Sequence, residues 1–377
     1  MKPRKIGLLY GMERTFPEAL TKRINELGAG KVVCEPVKID AVRQDLPLPY
    51  DLILDRISQD VPFYRTVLKY AVLRGVDVVN NPFWWTAEDK FTANAIAMAA
   101  GLAIPKTYVL PHKSHPPGTK SESFSNLTFP ISWERVFEHL GFPIFLKPAL
   151  GGGWKNVSKV NNAKEFFEAY DKSSDLTMLA QEAIEFDAYY RCYCLGRERV
   201  HIMRYNPKGT YGKDQYIKDE PAASADLMAR MLRDAKAICH ALGHDFNTIE
   251  FAVRKGVPYA IDFTNPAPDA DVNSIGKANF EWIVTNAAEF LVDRVQNPRA
   301  VELAGTFPTM FPRMPGRVVV EAKAAAPAPV AVAAAAAAGA PVPAPAPAAA
   351  PAAPAADGTT SRADGPASRP AGKKGRK

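Results

Sequence analysis

Cysteine is scarce. Four thiols (Cys34, Cys192, Cys194, Cys239) in 377 residues are too few for the disulfide framework of a small secreted scaffold, which points to a reducing compartment. Cys192-Tyr193-Cys194 would put two thiols on one face of a strand. No second CxC or CxxC supplies the remaining ligands of a metal site, so buried, inert thiols are expected. Uncharged apolar runs of the roughly 20 residues that a membrane span requires are also missing, because prolines interrupt the alanine-rich C-terminal stretch. The opening MKPRKIGLLYGMERTF has an apolar run too short for the core of a signal peptide and reads as a first strand. The cytoplasm is the expected location, with no membrane partner. Charge of one sign is lacking as well. The chain is formally +7, but beyond Lys323 six basic residues face two acidic ones, which leaves only +3 for residues 1–323. Nucleic acid is therefore expected to meet the protein only weakly, through a basic tail. Neither a G-x-G-x-x-G fingerprint nor a Gly-Lys-Ser/Thr phosphate loop occurs.

What is present is a core-forming chain, 47% hydrophobic, whose first hundred residues alternate strand and helix patterns. KIGLLYG, KVVCEPVKI, DLILDRIS and VDVVN read as strands. FPEALTKRINELG and VPFYRTVLKYAVLRG read as helices ending at Gly28 and Gly75. Such alternation argues for a parallel, doubly wound sheet. A further helix is expected from a Thr86 N-cap to Gly101. A polar Pro/Ser/Gly loop spans 111–128, and a small α+β unit follows it. Two strands then flank a Gly196-Arg197 turn, a long helix covers 223–242, a hairpin follows, and a last helix covers 276–296. From about residue 322 alanine and proline take over, and the segment offers too little apolar surface to offset its ordering entropy. It is expected to be a disordered tail for tethering or solubility.

Several short stretches carry chemistry, and each alone has an ordinary reading. In FNTIEFAVRKGVPYAIDFTN, a three-residue Arg254-Lys255-Gly256 loop would place Glu250 opposite Ala260 and diagonal to Asp262, on one face. Two carboxylates there, with the Asn265 amide oxygen nearby, suit magnesium as well as they suit a solvated hairpin. In PIFLKPALGGGWKN, Lys147 ends an apolar strand before Gly151, Gly152 and Gly153. An ammonium beside a glycine loop fits a phosphate; a flexible surface turn is the plain alternative. Lys90 sits in the first turns of a helix, within reach of a phosphate or simply exposed. Gln181-Glu182 and Asp187 interrupt an apolar strand and offer acceptors for an amino group and for ribose hydroxyls.

Taken in order, these pieces resemble the ATP-grasp superfamily, in the branch of glutathione synthetases, D-alanine–D-alanine ligases and ribosomal-protein glutamate ligases. The resemblance covers roughly residues 1–300 and implies an α/β and α+β architecture. A Rossmann-like domain (1–105), a lid subdomain (106–184) and a C-terminal subdomain with the metal site (185–300) are expected, then a connecting segment (301–322) and the tail (323–377). Residue by residue, Lys90 and Lys147 match the phosphate lysines, and Gly151, Gly152 and Gly153 the loop that closes over the phosphates. Gln181, Glu182, Ala183 and Ile184 match the adenine-binding hinge, and Asp187 the ribose acid, where several relatives carry glutamate. Arg191 and Arg204 resemble arginines that hold phosphate or an acyl phosphate, and Glu250, Asp262 and Asn265 stand where metal ligands fall. The usual order is Asp, then Glu-x-Asn; this chain has Glu250, then Asp262-Phe-Thr-Asn265, a gap one residue longer that a bulge would absorb. The implied activity is ADP-forming ligation of a small-molecule or peptide carboxylate to an amine or thiol, with ATP and one or two Mg2+ ions, or Mn2+ in their place. The other reading is an ATP-binding regulator or scaffold without turnover. Arg14, Arg56 and Lys213 are candidates for gripping substrate carboxylates, and a homo-oligomer is compatible with the resemblance.

Overall fold

The computed structural model describes residues 2–299 apart from 46–47, 88, 211–212 and 218–222. The expected connecting segment and tail lie outside the described residues.

Three four-stranded sheets build the molecule. The first is parallel, in the order β2-β1-β3-β4, from β1 (Arg4–Leu9), β2 (Val32–Pro36), β3 (Leu52–Asp55) and β4 (Asp77–Val79). Its strands are runs such as Leu52-Ile53-Leu54-Asp55, buried throughout, as a sheet covered on both faces requires. Helices α1 (Thr15–Gly28) and α2 (Pro62–Leu73) supply the cover.

A one-turn helix, α3 (Pro82–Trp85), starts at Asn81, whose side chain accepts the Phe83 N–H. The next helix, α4 (Lys90–Ala99), begins at Asp89 rather than at Thr86. The Asp89 carboxylate accepts the N–H groups of Phe91 and Thr92, both at 2.8 Å. An Asn-Pro start upstream closes its own turn first, and Thr86 ends that turn.

The second sheet, β5-β8-β6-β7, is antiparallel. It contains β5 (Thr107–Leu110), β6 (Ile144–Pro148), β7 (Ser158–Val160) and β8 (Met178–Glu182), backed by α5 (Trp133–Leu140) and α6 (Ala163–Asp171). The third sheet is antiparallel in the order β10-β9-β11-β12, from β9 (Ala188–Leu195), β10 (Arg199–Arg204), β11 (Phe246–Arg254) and β12 (Val257–Asp262). Helix α7 (Ala225–Leu242) covers one face, and α8 (Val272–Ile275) and α9 (Lys277–Gln296) follow β12. Packing crosses the expected boundaries twice. α4, from the N-terminal block, packs its Ala93, Ile96 and Ala97 against α7 and the third sheet, and α9 lies against α1 and the first sheet. The division at 105, 184 and 300 is therefore a proposal about segments that are packed into one another.

All four cysteines are buried free thiols, and Cys192 and Cys194 both face the α7 side. No described helix is long and apolar enough to cross a membrane.

Candidate functional site

The β11–β12 hairpin turns more tightly than its sequence suggests. Arg254 pairs with Val257, so only Lys255 and Gly256 form the loop, with φ of 51° and 74°. Both are left-handed, the geometry of a type I′ turn whose twist matches the strands. Shortening the loop by one residue would place Ile261 opposite Glu250 and send Asp262 to the other face. A bulge between Glu250 and Phe251 in the register restores the arrangement: Phe251 faces Ala260, but Glu250 faces Asp262 directly. The two carboxylates are thus direct cross-strand neighbours rather than diagonal ones, and the extra residue sits at Ile261.

Glu250 is held from two sides. The Tyr189 hydroxyl donates to its Oε2 at 2.7 Å, and the Arg191 Nε lies 3.8 Å from its Oε1. Burial pushes the Glu250 carboxyl up, the Arg191 guanidinium opposes this, and Asp262 adds to it. Arg191 in turn donates to the Tyr216 hydroxyl (3.1 Å) and Thr248 Oγ1 (3.4 Å) and stacks over the Tyr205 ring. Burial works against its charge, but Glu250 and the neighbouring tyrosines hold its pKa above the ordinary arginine value. Asn265 donates its Nδ2 to Thr248 Oγ1 at 3.2 Å, and its backbone N–H to Asn247 Oδ1 at 3.0 Å. Its own Oδ1 is left as an acceptor.

Across the cleft, the end of β6 carries Lys147. Its Nζ donates to the Ile261 carbonyl at 3.3 Å. Burial pushes this ammonium down to about 8, with Asp262 opposing and Lys90 adding to the fall. Lys90, the first residue of α4, donates its Nζ to the Gly151 carbonyl, and its N–H to the Ala149 carbonyl at 3.1 Å. A cavity of about 420 Å³ separates these walls. Lys90, Lys147, Gly151, Gly152, Gly153, Gln181, Glu182, Ile184, Arg191, Glu250, Asp262 and Asn265 all line it.

Three expected residues do not line it. Arg204 lies on the opposite face of the third sheet from Arg191. A two-residue Gly196-Arg197 turn would set it across from Tyr189, on the Arg191 side. The connection includes Glu198, Leu195 pairs with Arg199, and the shift by one puts Arg204 opposite Tyr190, over whose ring its guanidinium stacks at 4.9 Å. Asp187 faces the hairpin turn instead: its Oδ2 accepts the Lys255 N–H at 2.9 Å. Ala183 is buried, and its N–H bonds the Pro143 carbonyl at 3.1 Å. Arg56, a candidate for substrate binding, is buried and bidentate to Glu13, at 2.6 and 2.8 Å.

The sequence reading missed Tyr189, Tyr205, Phe186, Trp154 and Thr248 on the cavity wall. Tyr189 was within reach, since period-two alternation from Arg191 puts it on the same face. Tyr205 and Thr248 depended on strand registers that the sequence does not print.

For a metal, the donor set is two carboxylates and an amide oxygen, hard ligands without sulfur or imidazole. Among the described residues no group of three or more His, Cys, Asp or Glu side chains converges on a metal site. That limited set matches Mg2+, which retains water and phosphate oxygens and needs only one or two carboxylates.

No family model matches the chain. It is 26% identical over 200 residues to a D-alanine–D-alanine ligase of Laribacter hongkongensis, covering 50% of this chain and 58% of that protein. Over the curated relatives it matches, the chain spans between 20% and 58% of their length. Among solved structures it is similar to the VanG D-Ala:D-Ser ligase of Enterococcus faecalis, with TM-score 0.56, 16% identity, and 78% of this chain and 99% of that one covered. It is also similar to a RimK domain ATP-grasp protein of Sphaerobacter thermophilus, with TM-score 0.55, 16% identity, and 78% and 100% covered. At such identities the likeness defines the architecture. The chain has the ATP-grasp fold.

Proposed function

We propose that the protein is an ATP-dependent ligase that activates a carboxylate as an acyl phosphate and joins it to an amine or thiol, releasing ADP and phosphate. One observation carries this reading: Lys90, Lys147 and the glycine loop face Glu250, Asp262 and Asn265 across a single cavity. Ammonium groups on one wall and carboxylates on the other make a phosphate-and-cation site; a solvated hairpin face would leave these groups apart. The curated and structural relatives named as D-alanine and D-serine ligases support the same chemistry. Glu250, Asp262 and Asn265 would hold magnesium, which when bound neutralises phosphate charge during phosphoryl transfer. Lys147 and Lys90 bind the phosphates as point charges, and backbone N–H groups of residues 151–153 close over them. The buried Arg191 guanidinium faces the carboxylates and stabilises oxyanion charge as the amine attacks. Apolar side chains on the wall, among them Phe145, Leu150 and Trp154, exclude water from an intermediate that water would hydrolyse.

The bulge that keeps Asp262 opposite Glu250 favours turnover over a purely regulatory nucleotide site. The test is magnesium-dependent ADP release with pools of amino acids, dicarboxylates and amines, using the full chain. Substrate-dependent release supports the ligase. ATP binding with no release from any pool would select the regulator instead.

A further inference from the structure

The proposed function puts the nucleobase against residues 181–184 and the phosphates at Lys90 and Lys147. The sugar must lie between. A chain of contacts marks that place: Phe186 meets the Tyr189 ring edge-on at 5.1 Å between centroids, and the Tyr189 hydroxyl reaches Glu250 at 2.7 Å. Phe186 thus stands between the strand-end hinge and the carboxylate pair, and its side chain lines the cavity.

An acid within this stretch would be the natural partner of ribose hydroxyls, but Asp187 is committed elsewhere. Its N–H donates to the Val253 carbonyl at 2.8 Å, and its Oδ2 accepts the Lys255 N–H at 2.9 Å. Both bonds fasten it to the β11–β12 hairpin. The carboxylates that line the cavity among the described residues are engaged too. Glu182 Oε1 accepts from Arg254 at 2.8 Å, and Glu250 is held by Tyr189 and Arg191. Asp262 faces Glu250 at the phosphate end, and Asp269 accepts the Asp271 N–H and the Ser274 hydroxyl.

We propose that the sugar of a bound nucleotide rests on Phe186 with no carboxylate reading its hydroxyls, so that the site takes 2′-deoxynucleotides as readily as ribonucleotides. The inference rests on the nucleotide reading and adds a specificity to it. A pocket built to bond a hydroxyl rejects the analogue that lacks one, because its own polar group is then left unpaired. An aromatic face carries no such penalty, and Asp187 keeps its partner whichever sugar is bound.

The experiment is calorimetric titration of the full chain with ATP and with dATP in magnesium buffer, repeated on Asp187→Ala and Phe186→Ala. The dissociation constants for ATP and dATP should agree within threefold. Asp187→Ala should lower the melting temperature, through the lost hairpin bond, and leave the ATP:dATP ratio within threefold. Phe186→Ala should weaken both nucleotides together. If dATP binds wild-type protein more than threefold less tightly than ATP, the inference is overturned while the nucleotide reading stands. Selective weakening of ATP by Asp187→Ala would overturn it in the same way. Failure of both nucleotides to bind would overturn the nucleotide reading and this inference with it.

Discussion

Raising the pH should release nucleotide from this cleft, and Lys147 sets where that happens. Burial against the third sheet brings its ammonium down from 10.5 to about 8, with Asp262 in part opposing. A fall of that size corresponds to about 3 kcal/mol held against the charged form in the empty cleft, at roughly 1.4 kcal/mol per unit. A triphosphate prefers the protonated lysine. Affinity is therefore fully present below about pH 7 and declines as pH rises through about 8. At pH 9 about one tenth of the lysine carries its proton, so ATP should bind about tenfold less tightly than at pH 7. An ordinary surface lysine would still be almost fully charged. The assay is a set of ATP titrations by calorimetry between pH 6.5 and 9.5, on wild type and on Lys147→Arg. Arginine stays charged throughout and should abolish the inflection. Equal affinity at pH 7 and pH 9, or the same decline in Lys147→Arg, would refute the reasoning.

The other predictions concern the two hairpins and the fold. Arg191→Ala should reduce substrate-dependent ADP release by about 10²–10³-fold, whereas Arg204→Ala, altered on the far sheet face, should stay within threefold in the same steady-state assay. Gly256→Ala should cost about 1 kcal/mol in chemical denaturation, because its φ of 74° is left-handed and no neighbouring atom lies near the added Cβ. Asp89→Ala, which strips the cap from α4, should also cost about 1 kcal/mol. His201 stacks on Trp282 at 4.7 Å, and burial lowers its pKa below 6.5. The unfolded chain takes up that proton first, so stability should be fully present above pH 6.5 and fall as the pH drops below it. His201→Gln should flatten this part of a denaturation profile.

Much of this was legible locally. Strands such as Leu52–Asp55 are continuous apolar runs, and helices ending at Gly28 or Gly75 show both period and stop signal, so the parallel sheet could be read from neighbours in sequence. Lys147, at the end of a buried strand before three glycines, was legible for the same reason. Turn length was not. Residues 196–198 and 255–256 each differ by one residue from their sequence-based reading, and each difference reverses the face on which a following side chain lands. That is how Arg204 left the site. In the second hairpin the shortened turn was offset by the bulge at Ile261, so Asp262 stayed. Asp187 was illegible because the N–H that claims its carboxylate belongs to Lys255, and only the folded hairpin brings the two together. Packing of α4 against α7 likewise joins segments more than a hundred residues apart.

At the centre of the proposed function, ammonium groups and carboxylates clasp one triphosphate. Isothermal titration of Mg-ATP into wild type, Lys147→Ala and Asp262→Asn measures this directly. Wild type should bind, Lys147→Ala should lose at least tenfold in affinity, and Asp262→Asn should remove the dependence of binding on magnesium. Unchanged affinity in Lys147→Ala together with unchanged magnesium dependence in Asp262→Asn would contradict it.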